Sequence, residues 1–445
     1  MLDVQDENNY VFNIWLAKRI GLYQMLDPKT TKYLGKNVYH IVISFIALYW
    51  CAILILFNVS GMCYWTNNMT LSMDYFWKAE NTIFLMYKIW IITHYSNDIW
   101  NCLSVTWYGF TSSFNFRKRH VLDRWRKRSM RFSTLFAFMY LFSMAIYAGI
   151  TQTFRNEITP VKNRDGSVGY YRQNILNFYI IVSDETYNTY YNTFCFAEAL
   201  FTVTLTMVII LFDIILITLF FAICGQMKMI CSSFESVGYK SISDPRSLIV
   251  DNLNYTVVEQ KRFSNKHDLI YDELKTIIKD HQKIMKKYED FLALFEKPML
   301  LQIFVSSLSL ILSWCVFITV RQYFIILRFI IRNLVLFKMS MCLQDINQND
   351  SFYDVDKLLA SKVTPIQTKD SIIFSLYGSN WTKMDMKCKQ LILLTMKVNN
   401  AHYKKLRFTR TRIVNLEMFF KAMVLLKIYC SKKCRFDDML KKALT

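Results

Sequence analysis

Glycine and proline are scarce in this chain, 10 and 5 among 445 residues. A soluble protein of that length divides into two or three domains joined by turn-rich linkers. No Ser/Gly-rich or Pro-rich linker stands anywhere, so a long, mainly helical chain is the better expectation. The 11 cysteines form no CxxC pair. Cys430 and Cys434 lie close together, but no His or second Cys pair joins them. Zinc chemistry therefore has no ligand set, and no metal or cofactor is expected. Cys51, Cys195, Cys224 and Cys315 sit inside apolar runs and read as small buried hydrophobes. The six histidines are scattered, and neither a phosphate-binding Gly loop nor a nucleophile–base spacing occurs. An enzyme is not expected. No Asn-Pro pair exists, so the NPxxY motif of G-protein-coupled receptors is excluded. Asp123-Arg124-Trp125 looks like such a receptor's DRY triplet, but it follows the second apolar run rather than the third. Internal repeats and Gly- or Pro-broken mid-span helices are absent too, which argues against a secondary transporter.

What the chain does have is apolar length. It is 53% hydrophobic and 16% aromatic, with a formal charge of +20. The basic residues lie between the apolar runs, where cytoplasmic loops carry them, so the charge points to a membrane protein and not to nucleic acid. A helix needs about 20 apolar residues to cross a bilayer. Stretches 38–59, 75–97, 132–154, 196–224 and 298–320 are candidates, with Lys88 and Asp98 interrupting the second and Glu198 and Asp213 in the fourth. Pro298 is expected at the first helical position of the fifth, where its missing N–H costs nothing. Two weaker candidates are 322–342, interrupted by Arg328 and Arg332, and 413–429, with Glu417, Lys421 and Lys427. The expected fold is thus an all-α membrane protein, a single domain of seven transmembrane helices over residues 1–445.

The loops orient it. The first, SGMCYWTNNMTLSMD, has no Lys or Arg, whereas the next, RKRHVLDRWRKRSMR, has eight, and residues 226–297 have twelve. The positive-inside rule then puts the N-terminus in the cytoplasm and the C-terminus outside. Asn68-Met69-Thr70 is a glycosylation sequon in the first outer loop. Residues 1–36 lack a long apolar core, so the first span is expected to act as an uncleaved targeting signal.

Residues 226–297 form the large cytoplasmic segment, and 266–297 have a helical period. Ile270, Leu274, Ile277, Ile278, Ile284, Tyr288, Phe291, Leu292 and Phe295 recur at steps of three and four, opposite a charged face. Such a stripe must be buried, against other helical extensions of the chain or against another subunit.

Three stretches carry a resemblance. HQKIMKKYEDFLALFEKPMLLQIFVSSLSLILSW (281–314) resembles the fifth-span region of insect odorant receptors at His281, Tyr288, Glu289, Phe291, Gln302, Phe304, Ser306 and Ser307. SLYGSNW (375–381) looks like that family's Tyr-x-Ser-x-Trp signature, with Tyr377, Ser379 and Trp381 in place. NLEMFFKAMVLLKIY (415–429) resembles its last helix at Leu416, Glu417, Phe419 and Phe420, and Asp213 matches an Asp common in its fourth span. Residues 321–370 and the ending CSKKCRFDDMLKKALT depart from the family pattern.

The resemblance implies an odorant-sensing subunit of a heteromeric, ligand-gated, non-selective cation channel. Its partners would be a shared co-receptor in a tetramer, a small volatile ligand and the lipid membrane. It would sit in the plasma membrane of sensory-neuron dendrites. Cytoplasmic helical extensions would form a central anchor, with His281, Tyr288, Tyr377 and Trp381 at the anchor or its junction. The pocket would lie in the outer halves of the spans, apolar and aromatic with few polar groups. Phe84, Tyr87 and Ile91 on the second span, Met144, Tyr147 and Thr151 on the third, and Phe201, Thr204 and Leu205 on the fourth are its candidates. Met423, Leu426 and Lys427 of the last helix would face or flank the pore, with Leu426 in a water-excluding ring. A gustatory receptor channel is the nearest competing reading, although that family's Thr-Tyr…Gln-Phe ending is absent. A G-protein-coupled receptor is the more distant one and predicts the opposite orientation.

Overall fold

The computed structural model describes residues 9–112, 119–239, 255–319 and 365–401, apart from single residues and short breaks within the first two stretches. They fall in two units: one holds the described residues up to Pro298 together with 365–401, and the other is described only over the helical stretch 299–319. The expected spans 322–342 and 413–429, with Met423, Leu426 and Lys427, lie outside the described residues.

The N-terminal segment has two short helices, α1 (Ile14–Arg19) and α2 (Leu22–Leu26), and a tight hairpin, β1 (Lys32–Tyr33) with β2 (Lys36–Asn37). Asn37 ends that hairpin and caps α3 (Val38–Tyr64): its side-chain oxygen accepts from the Tyr39 and His40 amides. An Asn here satisfies helix-end donors that have no partner within the helix. Its amide group also donates to the carbonyls of Gln24, Met25 and Asp27, tying the segment to the start of α3.

Next come α4 (Met69–His94), α5 (Ser96–Leu103), α6 (Arg119–Thr153) and a hairpin of β3 (Ile158–Lys162) with β4 (Val168–Arg172). After these follow α7 (Asp184–Thr189), α8 (Tyr191–Ser236), α9 (Tyr255–Thr319), α10 (Pro365–Gly378) and α11 (Met386–Ala401). Helix α4 packs on α3 and α8, α6 on α8, and α10 on α8.

The polarity of this bundle is inverted. Phe45 and Leu56 on α3 and Phe196 on α8 are about 70% exposed (70%, 69% and 71%), whereas Ser44, Asn58, Thr82, Lys88, Glu198 and Asp213 are buried. Water would not tolerate that arrangement, but hydrocarbon favours it. Among the described residues four helices are long and apolar enough to cross a membrane: α3, the part of α6 at Arg119–Ile146, α8, and the part of α9 at Asp268–Ser309. Helix α4 is also long enough, but Asp74, Lys78, Glu80 and Lys88 lower its hydropathy.

Pro298 corrects an expectation. It does not open a helix but lies inside α9, which runs continuously from Tyr255 to Thr319. Its missing N–H leaves the carbonyl four residues earlier without its helical partner. The boundary between the two units falls at this residue.

Helices α3 and α4 meet closely at Gly61. A Cβ there would lie 2.5 Å from the ring of Tyr75, a fully buried side chain whose hydroxyl is held by the Asn177 carbonyl. The ring has no room to withdraw. Gly61→Val is expected to destabilise the bundle by about 1–3 kcal/mol, the usual range for overpacking. A thermal melt in detergent checks this; an unchanged midpoint would show that the two helices slide apart freely.

Candidate ligand site

Helices α4 and α8 run side by side in the same sense, joined at two levels. At the lower level Lys88 Nζ donates to Asp213 Oδ1 at 2.8 Å, and both side chains are 1% exposed. The ammonium lies 4.9 Å from the ring centres of Phe84 and of Phe212. An apolar bundle interior does not hold a lone charge, so each of the two requires the other. The Phe212 ring in turn meets Phe295 of α9 at 5.8 Å.

At the upper level the segment after β4 folds over both helices. The Glu198 carboxylate accepts from the backbone N–H groups of Leu176 and Asn177 and from the Tyr187 hydroxyl, and Glu198 is fully buried. Lys78 pairs with Asp74 and donates to the Leu176 carbonyl at 2.8 Å. Asn177 has a φ of 52°, a left-handed conformation that Asn tolerates better than most residues. Its side-chain oxygen accepts from the Asn174 amide at 2.8 Å and the Tyr179 hydroxyl at 2.7 Å. Tyr171, Tyr179, Tyr187 and Tyr191 pack with Trp65 and Tyr75 into an aromatic cap. Burial, with the Glu198 carboxylate beside it, pushes the Tyr187 hydroxyl well above the usual phenol range, so it stays a donor.

Between the two levels lies a layer of α4 and α8 that carries four of the expected residues with described side chains, Phe84, Tyr87, Phe201 and Thr204. Phe84 is half-buried and reaches α8 through Lys88. Tyr87 is half-buried and stacks on Trp90 of its own helix at 6.0 Å. Ile91 is buried just past the lower level. Phe201 packs edge-on against Trp50 of α3 at 4.4 Å, and Thr204 is exposed, its hydroxyl donating to the Leu200 carbonyl at 2.9 Å. Met144 is half-buried on α6; the side chains of Tyr147, Thr151 and Leu205 lie outside the described residues. A small cleft between the N-terminal segment, α6 and α8 is lined by Phe12, Leu16, Ser133, Ile214 and Thr218, among others, and by none of the expected residues. It has room for little more than a water molecule.

Sequence reasoning treated Lys88, Glu198 and Asp213 as interruptions and passed over Glu80. A charge inside an otherwise apolar run was the available signal.

Helix α9 is docked by polar contacts. Lys283 of α9 donates to the Phe110 carbonyl at 2.6 Å, Asp280 accepts from the Ser112 amide at 3.0 Å, and Lys287 donates to Asn101 at 2.9 Å. Leu274, Ile277, Ile284, Tyr288, Phe291 and Phe295 of the expected stripe are buried, and so is His281. Tyr108, beside this contact, donates to Asp123 at 2.9 Å; burial and that hydrogen bond raise its hydroxyl above the usual range. In the SLYGSNW patch the small residues make the contact with α8: Ser375 donates to Glu235 at 2.9 Å, and Ser379 is buried. Tyr377 and Trp381 are exposed, at 60% and 38%.

The sequence pattern of the 7tm Odorant receptor family matches residues 68–344, well over half of the chain. The chain belongs to the odorant receptor family. It is a receptor of a ligand-binding class, not an enzyme. This odorant receptor is similar in fold to the insect olfactory receptor OR5 from Machilis hrabei, with a TM-score of 0.65 at 13% identity, over 94% of this chain and 96% of that one. Against the same receptor in complex with eugenol the TM-score is 0.66 at 12% identity, with the same coverage. No curated protein matches the chain.

Proposed function

We propose that this odorant receptor is the odorant-sensing subunit of a heteromeric, ligand-gated, non-selective cation channel in the plasma membrane of sensory-neuron dendrites. It has seven spans, a cytoplasmic N-terminus and an extracellular C-terminus. The ligand is a small volatile held in the layer of α4, α6 and α8 between the Glu198 cap and the Lys88–Asp213 pair. The observation that carries this reading is that layer: aromatic side chains inside a bundle whose apolar surface faces outward, closed above and below by buried charges. The OR5 receptor, which has this fold, has been solved in complex with eugenol. The co-receptor supplies the other subunits, and α9 with the SLYGSNW junction is the anchor on which they meet. The last span, with Met423, Leu426 and Lys427, lines the pore.

Epitope tags at both ends, stained on intact and permeabilised cells expressing the chain with a co-receptor, test the topology. An N-terminus stained only after permeabilisation and a C-terminus stained on intact cells agree with the reading. Both ends inside, or an outer N-terminus, would reject it. Odorant-evoked currents in the same cells test the channel. A second check uses the cysteines. Cys63, near the outer end of α3, is exposed, whereas Cys51, Cys102, Cys195, Cys224, Cys231 and Cys388 are buried. In a chain with Cys430→Ser and Cys434→Ser, which removes the two cysteines of the proposed outer C-terminus, a membrane-impermeant maleimide is expected to label the receptor on intact cells, and Cys63→Ser to remove most of that label. Undiminished labelling of Cys63→Ser cells would place this end of α3 on the other side.

A further inference from the structure

We infer that Glu80 is the polar contact of the ligand site and that it selects a small apolar amine, bound as its ammonium ion. The inference rests on the reading that α4 lines the ligand site. Both carboxyl oxygens of Glu80 are buried and have no hydrogen-bond partner among the described residues. The other buried charges of this layer are matched within the protein: Lys78 by Asp74 and the Leu176 carbonyl, Lys88 by Asp213, and Glu198 by two amides and a tyrosine. Among the described charged side chains of this layer, Glu80 alone is left over.

Its place on the helix says what would complete it. Lys78 and Lys88 mark the two levels, about 15 Å of helix apart, and Glu80 lies between them. Phe84 is one turn further along, and Trp77 one turn back and buried, so both lie on the Glu80 side of α4. A carboxylate flanked by aromatic rings suits an ammonium ion: the charge pairs with the oxygens, and the N–H or C–H edges meet the ring faces. A ketone or ester brings an acceptor but no charge, so it takes at most the single hydrogen bond of an un-ionised carboxyl. An alcohol brings one donor and no charge. Out of water a carboxyl group ionises only beside a positive charge, so the ligand that brings that charge gains most from Glu80.

The test is a set of dose–response currents for hexylamine, hexanol and a hexanone in cells expressing the full chain with a co-receptor. The wild type is expected to respond to hexylamine at the lowest concentration. Glu80→Gln should raise the half-maximal amine concentration about ten- to a hundredfold, the size of one charge-assisted hydrogen bond, while alcohol and ketone responses stay put. An amine response that survives Glu80→Gln, an equal loss for all three compounds, or a wild type that ignores the amine overturns the inference. Phe84→Ala separates it from the reading beneath it. If Phe84→Ala shifts every ligand and Glu80→Gln shifts none, only the amine selectivity fails; if Phe84→Ala shifts no ligand at normal current size, the α4 site itself fails. Surface labelling accompanies each variant. Should Glu80→Gln not reach the surface, Glu80→Asp decides: an amine-selective loss supports the inference, and a uniform loss overturns it.

Discussion

Lys88→Met is expected to remove most of this odorant receptor from the cell surface, and adding Asp213→Leu to the same chain to bring it back. The two side chains are each other's counter-charge, at 2.8 Å, with 1% exposure apiece. Losing one partner of a buried pair leaves an uncompensated charge, at a cost of about 3–5 kcal/mol. That is a large share of what holds any domain together. Replacing both by apolar groups of similar volume removes the desolvation term along with the attraction and is close to neutral. The setting favours that outcome, because Phe84 and Phe212 already flank the ammonium at 4.9 Å each. Asp213→Leu alone is expected to fail as badly as Lys88→Met. Surface biotinylation and detergent melting of the two single variants and the double variant make the measurement. A double variant worse than either single one would mean that the pair contributes more than mutual neutralisation, for instance through Phe212 and its contact with Phe295.

The second large effect concerns Glu198. Glu198→Ala would strand the Leu176 and Asn177 amides and the Tyr187 hydroxyl. Each buried donor left unsatisfied costs about 1–3 kcal/mol, and all three lie in the cap formed by the segment after β4. The expected result is a receptor that still reaches the surface but is cut by protease within residues 158–182 and gives no odorant current. Glu198→Gln keeps one acceptor oxygen and should retain part of the response. Limited proteolysis on intact cells follows the cap, and whole-cell current follows function. A full odorant response from Glu198→Ala would detach the cap from the ligand site.

Where sequence and structure agree, the reason is local. The apolar runs among the described residues are helical because a helix satisfies its backbone hydrogen bonds within one segment, as a bilayer requires. The stripe from Leu274 to Phe295 was legible because its period of three and four is the period of the helix that buries it. Asp213 stood out as an Asp in an apolar run, and a chain resemblance picked out the same residue.

Tertiary structure decided the rest, because it depends on residues far apart in the chain. Lys88 looked like a break in a span until Asp213, 125 residues later, was beside it. Glu198 looked like a second interruption until the loop at Leu176 closed over it. Tyr377 and Trp381 were the conspicuous residues of SLYGSNW, yet the contact with α8 is made by Ser375, whose partner Glu235 is 140 residues away. Pro298 read as a helix start, and only the continuity of α9 put it inside one. Helical period and apolar length are properties of neighbouring residues, so the sequence by itself determined the membrane helices and the amphipathic stripe. Neutralising a buried charge takes a partner that only the packed bundle brings near, so the two charge pairings that bracket the layer of α4 and α8, and the carboxyl of Glu80 left between them, were decided by the fold.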